Sequence, residues 1–197
     1  MGTLILLLVN AGISWWNARN AGRAWLEAKS LGGWVWLLTW CAAIQSAAGF
    51  TSIAAFILVM LARAFGMLPE QSEVAASGLV YLLTVIPIIG TGLLITLSSW
   101  QVAFREKSLS SMGVAAYNSL AMAYNVTSAV KNIPSVRDEL NQFYKKNRRK
   151  NDDQDSSDSI IVVFMIAAAA LVIGCLLTRW IIRANMGKGT LPARETA

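Results

Sequence analysis

Long runs without charge alternate with short charged stretches along this chain. Residues 75–100 (AASGLVYLLTVIPIIGTGLLITLSSW) and 160–177 (IIVVFMIAAAALVIGCLL) carry no charged residue. About 20 helical residues cross a hydrocarbon core roughly 30 Å thick, so both runs read as membrane spans. Residues 33–62 are charge-free as well and, at about 1.5 Å per residue, make a helix of roughly 45 Å, which must tilt or project. Residues 3–16 (TLILLLVNAGISWW) are shorter and interrupted by Asn10. They read as a short span lengthened by uncharged flanks. No basic region precedes them and no small-residue cleavage pattern follows before Arg19, so a cleaved signal peptide is not expected. The next stretch, NARNAGRAWLEAKSLGG, offers Arg23 and Glu27 at i, i+4 and ends in Gly32-Gly33. It reads as a helical extension of the first span followed by a turn.

The segment between the third and fourth spans has a different pattern. Ala-Tyr-Asn occurs at residue 116 and again at residue 123, inside a charge-free stretch, 108–130. On a helix Tyr117 and Tyr124 share a face with Leu120, and Asn118 and Asn125 form a stripe beside it. Such a helix is apolar nearly all round apart from one amide strip, and it calls for burial. Burial in lipid alone would oblige two Asn and two Tyr to find partners inside the membrane. The expectation is therefore a helix packed on protein, against the cytoplasmic ends of the spans or against its own copies. A seven-residue recurrence suits such a seam, although two copies are too few for a coiled coil. Farther on, Val136, Leu140, Phe143 and Tyr144 give an amphipathic helix that ends in a basic block, Lys145, Lys146, Arg148, Arg149 and Lys150. This block reads as a surface for anionic lipid headgroups. The acidic run that follows, NDDQDSSDS, reads as a spacer into the fourth span.

Composition strengthens the membrane reading. Of 197 residues 55% are hydrophobic and only 14% are charged. That apolar content exceeds what a soluble domain of this size hides. The lysines and arginines place the loop between spans 1 and 2, and the long segment between spans 3 and 4, on the cytoplasmic side. Trp15, Trp16, Trp25, Trp34, Trp36, Trp40 and Trp100 map to the same interface, and Trp180 to the opposite one. The basic tail after the fourth span opposes this layout. A fifth span over 108–130 would remove the objection but erase the charge asymmetry.

The chemistry of the chain is defined by what it lacks. It contains no histidine and two cysteines, both within predicted spans. Haem, zinc and His-dependent nucleophilic chemistry lose their usual participants, and no cofactor, metal or catalytic constellation is expected. The predicted spans carry few strongly polar groups, Asn10 and Gln45 among them, which argues against an ion-coupled carrier. Pro87 with Gly90 and Gly92 marks a kink or hinge in the third span. Ala43, Ala47, Ala48, Ser52, the alanines 167–170 and Gly174 are small-residue packing seams. Nucleic-acid binding is not expected, since no aromatic interleaving accompanies the basic block.

The expected architecture is an all-α, polytopic helical membrane protein with about four transmembrane helices and a cytoplasmic helical segment between spans 3 and 4. A membrane bundle over 1–104 has spans near 3–16, 33–62 and 75–100. Cytoplasmic amphipathic helices and a charged linker follow over 105–159, the fourth span over 160–182, and a basic tail over 183–197. The expected function is non-enzymatic: an integral membrane scaffold, in a bacterial inner membrane, docking partners or copies of itself through the cytoplasmic segment. Its partners are the bilayer, its own copies or other membrane proteins. The alternative is an oligomeric pore-forming protein, holin-like or an exclusion protein of a phage or mobile element.

Overall fold

The computed structural model describes residues 2–67, 70–149 and 154–188, and among these it holds five helices and no strand. They are α1 (Gly2–Leu31), α2 (Gly33–Ala64), α3 (Glu70–Glu106), α4 (Leu109–Arg149) and α5 (Gln154–Asn185). Helix α1 runs unbroken through the stretch expected to extend the first span, and Gly32 and Gly33 turn the chain at φ +65° and +52°. Only glycine takes such angles without strain. Arg23 and Glu27 form no ion pair; the described residues hold two, Arg63 with Glu73 and Arg137 with Asp138.

Among the described residues three helices are long and apolar enough to cross a membrane: α2, α3 and α5. Their packing combines small buried residues with large exposed ones. Small residues fill the contacts, with Ala43, Ala48, Ala54, Ala55, Ala75, Ala76, Ala167 and Ala170 all buried. Large ones face outward, among them Phe56, Ile57, Ile86, Phe164, Met165 and Leu176. Exposed large apolar side chains of this kind suit a bilayer, and small seams let helices approach without a hydrophobic drive between them.

Helix α2 is central, touching α1, α3 and α5. It meets α5 closely at Gly174, where a Cβ would collide with Thr51 Oγ1 and lie 2.8 Å from the Ala47 carbonyl oxygen. It meets α1 closely at Gly49, where a Cβ would collide with Ser14 Oγ. Only glycine permits either approach.

Helix α4 gives the main departure from the expected layout. It turns back at Lys107 and Ser108 and runs antiparallel to α3 along most of that helix. The Trp100 indole donates to Ser119 Oγ at 2.8 Å, and Thr96 Oγ1 donates to the Asn118 carbonyl at 3.3 Å. Farther along, Gly92 faces Met122, and Gly78 faces Val136 and Leu140. The contact thus begins at the end of α3 where the cytoplasmic segment was expected and continues to the other end. There Leu140 and Phe143 share a core with Val59, Ala75, Ala76, Val163 and Ile166.

The chain therefore enters α5 beside the α2–α3 turn, and α5 ends beside α1. Ile181 and Ile182 pack with Ala18, Ala21 and Ala43. This corrects the placement of Trp180, which lies at the same end as Trp25, Trp36 and Trp40. The reason is that α4 carries the chain back across before α5 begins. It also brings Arg179, Arg183 and Lys188 to the end that holds Arg23, Lys29 and Arg105, and leaves Lys145 at the other with Arg63. Among the described residues the basic side chains are divided between the two ends, where one-sided asymmetry was expected.

Candidate functional site

The amide stripe of α4 does not pack flat against a neighbour. Among the described residues no Cα of α1 comes within 8 Å of a Cα of α4. Between them lies a cleft of about 360 Å³, floored by Gln45 and Gly49 of α2 and by Gly92, Ile95 and Thr96 of α3. Asn10, Ser14 and Asn17 of α1 form one wall, and Tyr117, Asn118, Ala121, Tyr124 and Asn125 of α4 form the other.

Each wall follows from local sequence. Asn118 and Asn125 are seven residues apart, two helical turns, so both project from the same side of α4. The spacing of Asn10 and Asn17 is the same, with the same consequence on α1. The absence of side chains at Gly49 and Gly92 opens the floor. A Cβ at Gly92 would sit 3.5 Å from the Gln45 amide nitrogen and 3.2 Å from Met122 Sδ.

The hydrogen bonding of these amides is unequal. Asn10 Nδ2 donates to the Gly49 carbonyl at 3.4 Å. Among the described residues the side-chain amides of Asn17, Gln45, Asn118 and Asn125 make no hydrogen bond to protein, although each is half-buried. A primary amide has two donors and an acceptor to satisfy. The cleft thus presents a concentrated set of unused neutral donors and acceptors. Among the described residues its lining includes no carboxylate, lysine or arginine, so it offers neutral hydrogen-bonding groups.

The Ala-Tyr-Asn repeat is now interpretable. Its asparagines turn into the cleft, while Tyr117 and Tyr124 stand on the rim at 65% and 74% exposure. Leu120 between them is 72% exposed. The hinge residues have separate surroundings: α3 is continuous through Pro87, Gly90 has open space beside it, and Gly92 is in the cleft floor. Thr91 Oγ1 donates to the Pro87 carbonyl at 2.7 Å. Of the basic block, Lys145 is exposed on α4; the side chains of Lys146, Arg148 and Arg149, and the whole of Lys150, lie outside the described residues.

Sequence reading missed Asn17 and the convergence of α1 with the amide stripe. The signal was present as the equal spacing of the two asparagine pairs, but nothing local says that helices so far apart in sequence face one gap. Comparison with known proteins adds no relative: no family model, no curated protein and no solved structure matches this chain.

Proposed function

We propose that the protein is a non-enzymatic membrane scaffold that assembles with copies of itself through α4 and the adjoining amide cleft. The observation that carries this reading is the polarity of α4. It lies against α3, whose sequence is apolar enough to span, yet its outward surface shows Lys131, Arg137, Asp138 and Glu139 exposed. Charges at membrane depth are costly against lipid tails and are found facing protein or water. The idle amides of the adjoining cleft need partners for the same reason. A second copy supplies both, with the tyrosine stripe as the apolar part of the contact. In this reading α4 is a membrane-level flank of the bundle rather than a purely cytoplasmic element.

The scaffold reading is tested by the mass of the protein in lipid nanodiscs. Changing Tyr117 and Tyr124 together to Ala is expected to shift it from oligomer to monomer with membrane insertion unchanged. An unaltered oligomer in the double variant counts against the seam.

The amide cleft supports one other reading, an oligomeric pore in which water rather than protein covers α4, as in a holin-like or exclusion protein of a phage or mobile element. A voltage-sensitive dye separates the two. Depolarisation at low expression supports the pore, and a steady potential supports the scaffold.

A further inference from the structure

A second concavity, separate from the amide cleft, lies where α1, α2 and α5 meet. It is a groove of about 480 Å³ whose lining includes Trp25, Trp40, Ala47, Cys175, Arg179 and Arg183. Gly22 brings its walls together: a Cβ there would lie 2.6 Å from the Ile182 carbonyl oxygen, so α1 meets α5 backbone to backbone. Near its mouth Trp25, Trp36 and Trp40 pack edge to face, with ring centroids 4.9 to 5.8 Å apart. Clustered indoles of this kind favour the headgroup level of a bilayer.

The order of residues along α5 gives the groove a polarity. Cys175 and Ala47 lie at its inner end, within charge-free runs of α5 and α2. Arg179 and Arg183 follow Cys175 at successive turns, about 6 Å and 12 Å farther along the axis. Among the described residues neither guanidinium pairs with a carboxylate, since the two ion pairs present involve Arg63 and Arg137. An apolar trough therefore opens between two uncompensated positive charges beside an indole cluster.

We propose that this groove holds one anionic glycerophospholipid, its phosphate between Arg179 and Arg183 and an acyl chain along Ala47 and Cys175. Guanidinium groups match phosphate oxygens in geometry and charge. A soluble anion would leave the apolar depth unused, and a choline headgroup would bring its ammonium toward the two guanidinium groups.

The test uses the full-length protein in detergent, offered equal amounts of phosphatidylglycerol and phosphatidylcholine with the same acyl chains and examined by native mass spectrometry. One phosphatidylglycerol per chain is expected, with a preference of about tenfold or more, the scale set by two basic groups at a headgroup. R179Q/R183Q is expected to bring the two lipids to parity, while R63Q/K145Q at the opposite end keeps the preference. Cys175 gives an independent readout, because it is exposed and the other cysteine, Cys41, is buried. Phosphatidylglycerol is expected to slow maleimide modification of Cys175 by several fold in the parent protein and not in R179Q/R183Q. C175W fills the groove with both arginines in place and is expected to lose the bound lipid. Equal retention of the two lipids, a preference that survives R179Q/R183Q, or undiminished retention by C175W would overturn the proposal.

Discussion

Ser46 Oγ and Thr178 Oγ1 lie 3.1 Å apart, both buried, and join α2 to α5 across 132 residues of sequence. Either hydroxyl can donate. The contact sits where small residues draw the helices close, and it fixes the register that places Arg179 and Trp180 one and two residues later. Hydrogen bonds between membrane helices contribute modestly, because hydroxyls released on separation find other acceptors. A double-mutant cycle with S46A and T178V is therefore expected to give a coupling of about 0.6 kcal/mol. A coupling indistinguishable from zero would mean that the two hydroxyls do not share a proton in the folded bundle.

Two glycines at helix contacts differ in what surrounds them. At Gly174 an added Cβ meets the backbone nitrogen of Thr51 at 2.7 Å and the Ala47 carbonyl, groups that move only if α2 moves. At Gly92 it meets the flexible end of Met122. G174A is expected to destabilise the protein by about 1–3 kcal/mol, the usual range for overpacking, and G92A by clearly less. Unfolding in mixed micelles measures both. Equal losses would contradict the close α2–α5 approach.

The path of α4 sets which segments share an end of the bundle. With the native cysteines replaced, K29C and K188C are expected to react with an impermeant maleimide from one face of the membrane, and M67C and K145C from the other. Lys188 reacting together with Met67 would return α5 to the direction expected from the sequence.

Tyr144 packs against Phe143 and Phe164, with centroids at 5.6 and 6.5 Å. Desolvation by these neighbours raises its phenol above the ordinary value. A folded-state pKa above the unfolded one contributes stability that is fully present below the unfolded value, about 10, and is lost as pH rises through the folded value. The difference in unfolding free energy between the parent and Y144F should thus be flat up to about pH 9 and change only at more alkaline pH. A change between pH 6 and 8 would assign the dependence to another group.

The helices were legible in the sequence because charge-free runs of span length have few other readings. The two-faced character of α4 was legible too, since the repeat places tyrosines and asparagines on neighbouring stripes. The partners of those stripes were not. Whether Asn118 faces Thr96 and the Asn10–Asn17 wall, or another copy of the chain, depends on where α4 turns, and the Lys107-Ser108 turn carries no strong local signal. Lys107 adopts φ +51° without being glycine, so the usual Gly or Pro marker is missing. The lipid groove was equally hidden. It exists because Gly22 meets Ile182, and that pairing follows only once α4 has carried the chain back across the bundle.

The self-association proposed for this chain requires that the outward face of α4 meet protein. A photoreactive amino acid at Leu120, with the buried position Ala115 as control, tests it in native membranes. Leu120 is expected to crosslink to a second copy of the chain, and Ala115 to yield no intermolecular product. Crosslinking of Leu120 to lipid alone would contradict it, and α4 would then be a helix that the bilayer covers.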